Sequence, residues 1–225
     1  MWKLLGPDGY FPKGSKRWIQ ILVNKKYDTF NQQIKNSMKT NHDIKIEWIS
    51  PRKEEVFREY HNGVFTKLGL RNLKVPLGKF WPLRGPSWDA VGRGSHDRIF
   101  LVEAKSHIPE MNSPPSGASE KSISKIKQAL LSTKQYLGAS SEVDWTGRYY
   151  QYANRLAYLY WLKVLNGVEA YLVLVYFLND KDQGGPSSES EWREAIMRLN
   201  NFFGLTHNKL ENNILEIFVD VKDLL

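Results

Sequence analysis

The feature that most constrains the fold is an unbroken stretch of nine apolar and aromatic residues, Ala170–Leu178. Its length is typical of a β-strand, and a strand without a polar face must be covered on both sides. The preceding apolar segment is interrupted by Lys163, Asn166 and Glu169, which indicates a helix end and a turn rather than a membrane-spanning helix. The pattern therefore predicts an interior strand of an α/β sandwich, with no membrane association.

Other segments supply the elements that would surround this strand. Alternating or β-branched residues predict strands at 17–23, 44–49, 74–81, 88–91, 99–105 and 214–221. Apolar residues three or four apart predict helices at 26–38, 51–68, 120–137, 148–165 and 191–203. This order predicts an α/β fold with a mixed central sheet flanked by helices. We expect residues 1–50 to form an N-terminal β-α-β extension or subdomain, and residues 51–225 to form the main domain.

Composition narrows the class of function. The 225-residue chain has no cysteine, which excludes disulfide frameworks and zinc–thiolate sites. No export signal is visible at its start, so we expect a cytoplasmic protein. The net charge is +8, and 13% of the residues are aromatic. A basic, aromatic-rich chain favours a polyanionic partner such as nucleic acid.

One strand carries two ions on an otherwise apolar segment. Glu103 and Lys105 are two residues apart, so their side chains share a face of the strand predicted at 99–105. In a hairpin centred near residue 96, the numbers of two paired residues add up to 192. This pairing sets Asp89 opposite Glu103. Two neighbouring carboxylates repel each other, and a Mg²⁺ ion, which prefers oxygen ligands, would relieve that repulsion. Lys105 could then orient a water for attack on a phosphate.

Asp89 followed by Glu103-Ala104-Lys105 resembles the motif of the PD-(D/E)xK nuclease superfamily, with the restriction-endonuclease-like fold. The acid-x-Lys pattern also begins at Asp43 and at Asp220, but only the copy at Glu103 follows a hairpin-paired aspartate. The resemblance covers roughly residues 51 to 178. It implies Asp89, Glu103 and Lys105 as catalytic residues and Mg²⁺, replaceable by Mn²⁺, as the cofactor.

The resemblance also implies secondary site residues. A further metal ligand would come from the first helix of the fold, with Glu59 as the first choice and Glu55 as the fallback. Gln151 and Arg155, on the helix predicted at 148–165, would contact phosphate near the metal. Arg84 and Arg93 flank the site and are candidate contacts to the DNA backbone. The alternative for all of these side chains is an ordinary solvated or structural role.

The sequence thus predicts a metal-dependent nuclease that hydrolyses DNA phosphodiester bonds, of a restriction, defence or repair type. Two alternatives remain open: a non-catalytic DNA-binding module on the same fold, and a basic protein-interaction domain. RNA is not distinguished from DNA as the substrate. A homodimer would suit cleavage of both strands, although the sequence shows no dimer interface.

Overall fold

The structure is a computed structural model that describes residues 5–38 and 44–225. It is an α/β protein built on a five-stranded mixed sheet. The strands are β1 (Ile46–Ser50), β2 (Ala90–Gly94), β3 (Ile99–Lys105), β4 (Ala170–Leu178) and β5 (Ile214–Asp220). They lie side by side in chain order. Strand β2 is antiparallel to both of its neighbours, β1 and β3, whereas β3, β4 and β5 run parallel, so β3 joins the two halves of the sheet.

Helices cover both faces of the sheet. They are α1 (Gly14–Lys25), α2 (Tyr27–Ser37), α3 (Val64–Lys67), α4 (Leu77–Phe80), α5 (Glu120–Leu137), α6 (Tyr150–Tyr160) and α7 (Glu189–Phe203). A π-helical turn at Trp161–Leu165 extends α6. Short 3-10 segments lie at Lys53–Glu55, Ser95–Asp97, Ile108–Met111, Lys181–Gln183, Glu211–Asn213 and Val221–Leu224. In the described part of the chain, no helix is both long and apolar enough to cross a membrane.

The period-two alternation of β3 and β4 divides the interior into two cores. Ile99, Leu101 and Leu172 point toward α5, α6 and α7, forming what we call the α5–α7 core. Phe100 and Val102 point the other way, toward α1 and α2, forming the α1–α2 core. Because both faces of the middle strands are covered, β4 needs no polar face, as its sequence predicts. The prediction of a mixed sheet flanked by helices is confirmed.

The strand predicted at residues 17–23 is wrong, since these residues lie in helix α1. Every residue from Trp18 to Val23 is buried, because one side of α1 rests on the sheet and the N-terminal segment covers the other. A helix buried all round shows no polar stripe, so its sequence has the same apolar run as a strand. The N-terminal region is therefore α-α-β, and its helices form the second layer of the sandwich.

The long helix predicted at residues 51–68 is also wrong. Its apolar residues serve opposite cores: Phe57 packs in the α1–α2 core, and Tyr60 packs in the α5–α7 core. The chain reverses between them through Val56 and Phe57, both with φ of 54°, a left-handed conformation that ends a helix. Only Val64–Lys67 is α-helical. The strand predicted at 74–81 is likewise replaced by α4, which follows Pro76.

Several boundaries match the sequence-based expectations closely. Helix α5 and strand β4 begin and end at the predicted residues. Strands β2 and β3 form the predicted hairpin, and Ala90 lies opposite Val102, a pair that sums to 192 as expected. Of the two other acid-x-Lys copies, the one at Asp43 starts outside the described residues. Asp220 ends β5 and accepts hydrogen bonds from Asn179 and the Lys222 backbone.

Candidate active site

The hairpin brings the two predicted acids together. The backbone N–H of Asp89 donates to the Val102 carbonyl at 3.2 Å, and the paired register of β2 and β3 ends next to it, at Ala90 and Val102. The N–H of Ala104 donates to Oδ2 of Asp89 at 2.8 Å. Asp89 is half-buried, and its carboxyl is thus held against the end of β3 beside Glu103.

Glu103 and Lys105 lie on the face of β3 that points into the α5–α7 core. Lys105 Nζ is 2.6 Å from Oε1 of Glu103, and it also donates to Oε1 of Gln151 at 2.7 Å. Glu103 is 4% exposed and Lys105 is 9% exposed, so this is a buried ion pair. Gln151 lies in the first turn of α6, whose start is fixed by a bond from its N–H to Ser113 Oγ.

Arg155 occupies a position different from the one expected of a phosphate contact. It is 2% exposed, and its Nε donates to Oε2 of Glu103 at 2.7 Å. Its other nitrogens donate to the Ser87 carbonyl and to Asn154 Oδ1, each at 2.7 Å. The guanidinium lies over the Trp88 ring, 4.6 Å from its centroid. Arg155 is therefore buried against Glu103, and its guanidinium is not exposed to a DNA strand.

The charges in this cluster shift one another. Burial, together with the negative charge of Glu103, raises the pKa of Asp89 to about 8 despite the nearby cations. Burial also acts to raise the pKa of Glu103, but Arg155 and Lys105 outweigh it and hold that pKa below the usual value. For Lys105, burial is outweighed by the surrounding carboxylates, so its pKa lies above the usual value. At neutral pH the site thus contains a protonated Asp89, a carboxylate and two cations.

The secondary metal ligands are not brought to this pair. Glu59 lies beside the isolated bridge between Tyr60 and Trp88, but Lys16 holds its carboxylate at 2.8 Å. Glu59 also accepts from Ser87 Oγ at 3.2 Å. The fallback residue, Glu55, instead bonds Tyr60 and Lys67 at the surface. Within residues 5–38 and 44–225, no group of three Asp, Glu or His side chains is placed to hold a metal ion.

The two flanking arginines lie in different surroundings. Arg84 is exposed on the loop at residues 82–86 and lines a cleft of about 560 Å³. Arg93 forms an ion pair of 2.5 Å with Asp97 in the hairpin turn. It lies four residues along β2 from Asp89, or about 13 Å. Arg84 is thus placed to meet a ligand near the site, whereas Arg93 is at the far end of the hairpin.

Sequence reasoning missed the side chains that support β3 from beneath. The carboxylate of Glu110 accepts from the Ser106 N–H at 2.7 Å and from Ser15 Oγ at 2.6 Å. Asp180 accepts from Trp18 Nε1 at 2.7 Å and from Ser106 Oγ. These bonds fix the residue that follows Lys105 to helix α1. They join positions up to 162 residues apart, and no local pattern in the sequence could have indicated them.

Comparisons of the chain with protein-family models, with curated proteins and with solved structures find no match. The chemistry open to the site therefore follows from its own side chains. Two adjacent carboxyl groups can bind a hard cation, and a lysine and a glutamine can hold a water or a phosphate oxygen. This combination suits hydrolysis of a phosphate ester.

Proposed function

We propose that this protein is a metal-dependent nuclease that hydrolyses DNA phosphodiester bonds, with a restriction-endonuclease-like core. The observation that supports the proposal most directly is the bond from the Ala104 N–H that holds Asp89 beside Glu103 at the end of the hairpin, with Lys105 on the same face as Glu103. The order of the elements around this hairpin and the net charge of +8 are consistent with it. A role in restriction, defence or repair is part of the proposal.

The donors at the site fit Mg²⁺ or Mn²⁺. Burial and the neighbouring carboxylate of Glu103 raise the pKa of Asp89 despite Lys105 and Arg155, and a bound divalent cation would act against both causes. The ion would be held by Asp89 and Glu103, since each ionised carboxylate has about four lone-pair sites and can accept a cation beside its existing bonds. A bound Mg²⁺ would supply Lewis-acid charge to the phosphate and lower the pKa of a water.

Lys105 acts in this scheme as a cation and not as a base. Its pKa is held above the usual value, so it carries its proton at any pH at which the protein would work. An ammonium group can donate to an attacking water and stabilise the charge that develops on phosphate oxygens. Gln151 fixes the Lys105 amine at 2.7 Å, so it serves as a positioning residue. Arg155 positions Glu103 in the same way.

A direct test is cleavage by the purified protein. Supercoiled plasmid, linear duplex, single-stranded DNA and RNA would be incubated with Mn²⁺ and with a chelator. We expect metal-dependent cleavage that is abolished in Asp89→Asn and retained in Asp182→Asn, which changes an exposed aspartate. Cleavage that continues in chelator, or that survives Asp89→Asn, would rule out this site as the catalytic centre.

One observation favours a second candidate, a non-catalytic DNA-binding module on the same fold. Both oxygens of Glu103 are already paired with cations, and the described residues place no third acid at the pair. In that case the cluster would be a structural ion network that leaves the site net positive. Calorimetric titration with Mn²⁺ separates the two candidates, because the nuclease requires binding that Asp89→Asn weakens and the module requires none.

A further inference from the structure

A rigid loop beside the candidate active site presents an uncovered apolar side chain. Leu83 is 94% exposed, the highest exposure among the large apolar residues that the structure describes. Its loop is nevertheless fixed in place. Asn62 Nδ2 donates to the carbonyls of Pro82 and Leu83 at 3.3 and 2.8 Å, and His61 Nδ1 lies 3.0 Å from the Gly85 carbonyl.

The floor beneath this loop is equally well defined. The Tyr158 hydroxyl donates to Asn62 Oδ1 at 2.7 Å, which orients the amide that holds the loop. Gly85 lies so close to both groups that an added Cβ would collide with Asn62 and Tyr158. A proline lies at each end of the loop and restricts its backbone further. Leu83 is therefore held out into solvent by the fold, at the cost of exposing its whole side chain.

The cleft next to Leu83 has the lining of a nucleobase site. It measures about 560 Å³ and is bounded by the loop, by the start of α5 and by the first turns of α6. None of its lining residues is acidic. Tyr150 is the half-buried aromatic residue of this lining that could stack on a base, and Ser116, Ser119 and Ser122 could bond its edge. Arg84 stands at the same cleft, where it can meet a backbone phosphate.

Helix α6 connects this cleft to the candidate active site. Tyr150 and Asn154 line the cleft, while their neighbours Gln151 and Arg155 bond Lys105 and Glu103. The two surfaces are thus adjacent along one helix. A DNA strand whose phosphate reached Lys105 would pass the mouth of the cleft.

We propose that Leu83 is a wedge that enters a DNA base stack, and that the cleft receives the base displaced from it. Apolar wedges beside arginines open base steps in this way, at an unstacking cost that is lowest where a base is already unpaired. The inference rests on the proposed function for its choice of DNA, and it names the preferred substrate as DNA with an unpaired base. It concerns binding, so it can be tested without turnover.

The test compares two duplexes that each carry a central 2-aminopurine. This base is unpaired in one duplex and paired in the other, and the duplexes are otherwise the same. Affinity is measured by anisotropy in chelator for the wild-type protein, Leu83→Ala and Leu131→Ala. Leu131 is the matched control, because it is a 54% exposed leucine that lines a different cleft. We expect the wild type and Leu131→Ala to prefer the duplex with the unpaired base. Leu83→Ala should lose about fivefold or more of that preference, together with the fluorescence rise that reports unstacking.

Equal affinity of the wild type for both duplexes would overturn the inference, as would identical behaviour of the two leucine variants. Binding of an acidic protein with no binding of DNA would also overturn it. Cleavage assays keep its failure distinct from that of the proposed function. If metal-dependent cleavage is observed without the binding preference, the proposed nuclease function stands and the wedge role of Leu83 is refuted. If the binding preference is observed without cleavage, the wedge role of Leu83 stands and the proposed nuclease function is refuted.

Discussion

The raised pKa of Asp89 predicts that the acid at the centre of the site destabilises the fold as the pH rises. In the folded protein this pKa is about 8, whereas in an unfolded chain it is about 3.9. Between these values the folded state keeps a proton that the unfolded state has lost. The free energy of unfolding therefore falls with pH across this window, by at most about 1.4 kcal/mol per pH unit.

The size of the effect follows from the width of the window. From about pH 5 to about pH 8 the free energy of unfolding can fall by at most about 4 kcal/mol if the full pKa shift applies. Asp89 is half-buried, and solvent screening reduces the effect to about 2 kcal/mol. Asp89→Asn removes the titration but keeps an oxygen that can accept from the Ala104 N–H. The variant should gain about 2 kcal/mol on the wild type as the pH rises through this range.

Urea unfolding followed by tryptophan fluorescence measures this difference, and the eight tryptophans give ample signal. The experiment is run in chelator at both pH values, with Asp182→Asn as the exposed control. Subtracting variant from wild type cancels the contributions of the titrating groups that do not interact with Asp89. A stability difference between Asp89→Asn and the wild type that does not change with pH would refute the reasoning. Under the proposed function, adding Mg²⁺ at the higher pH should stabilise only the wild type and Asp182→Asn.

The remaining predictions concern the cations and the support beneath them. Under the proposed function, Lys105→Ala should retain Mn²⁺ binding in calorimetry and lose cleavage by at least about a hundredfold, because its ammonium would stabilise the transition state. Glu103→Gln should abolish cleavage and lower the free energy of unfolding in urea by about 3 kcal/mol, since it leaves Lys105 and the buried Arg155 without a counterion. Trp18→Phe should cost about 1–2 kcal/mol in the same assay, because it removes the only bond that the indole makes to Asp180.

Local patterns predicted the part of the fold that local interactions determine. The pairing of Ala90 with Val102 depends on a short hairpin, so counting residues from its turn was sufficient to place Asp89 near Glu103. The bounds of β4 follow from its apolar run, because the neighbouring Asn179 and Glu169 cannot enter a two-sided core. The side of β3 that carries Glu103 and Lys105 follows from strand periodicity alone.

Tertiary contacts determined the rest. The apolar run in α1 fits a strand as well as a helix until the sheet and the N-terminal segment enclose it. Arg155 lies on the helix face on which a phosphate ligand is expected. Only the position of β3 shows that its guanidinium binds Glu103 instead. The same holds for Glu59, whose partner Lys16 is 43 residues away in sequence. Such pairings depend on the packing of distant elements, so they produce no periodic pattern in the sequence.

The position of β3 between the two halves of the sheet affects the order in which parts of the site form while the chain is being synthesised. Asp89 and its partner Ala104 are 15 residues apart, so a nascent chain can close this hairpin early. Gln151 lies 46 residues beyond Lys105, and Arg155 lies 52 residues beyond Glu103. A ribosome-bound chain that stops before α6 carries both acids without the side chains that hold β3 in position. Under the proposed function, we expect stalled chains of increasing length to show no hydrolysis until α6 and β4 have emerged, which would keep an unfinished copy from acting on nucleic acid beside the ribosome.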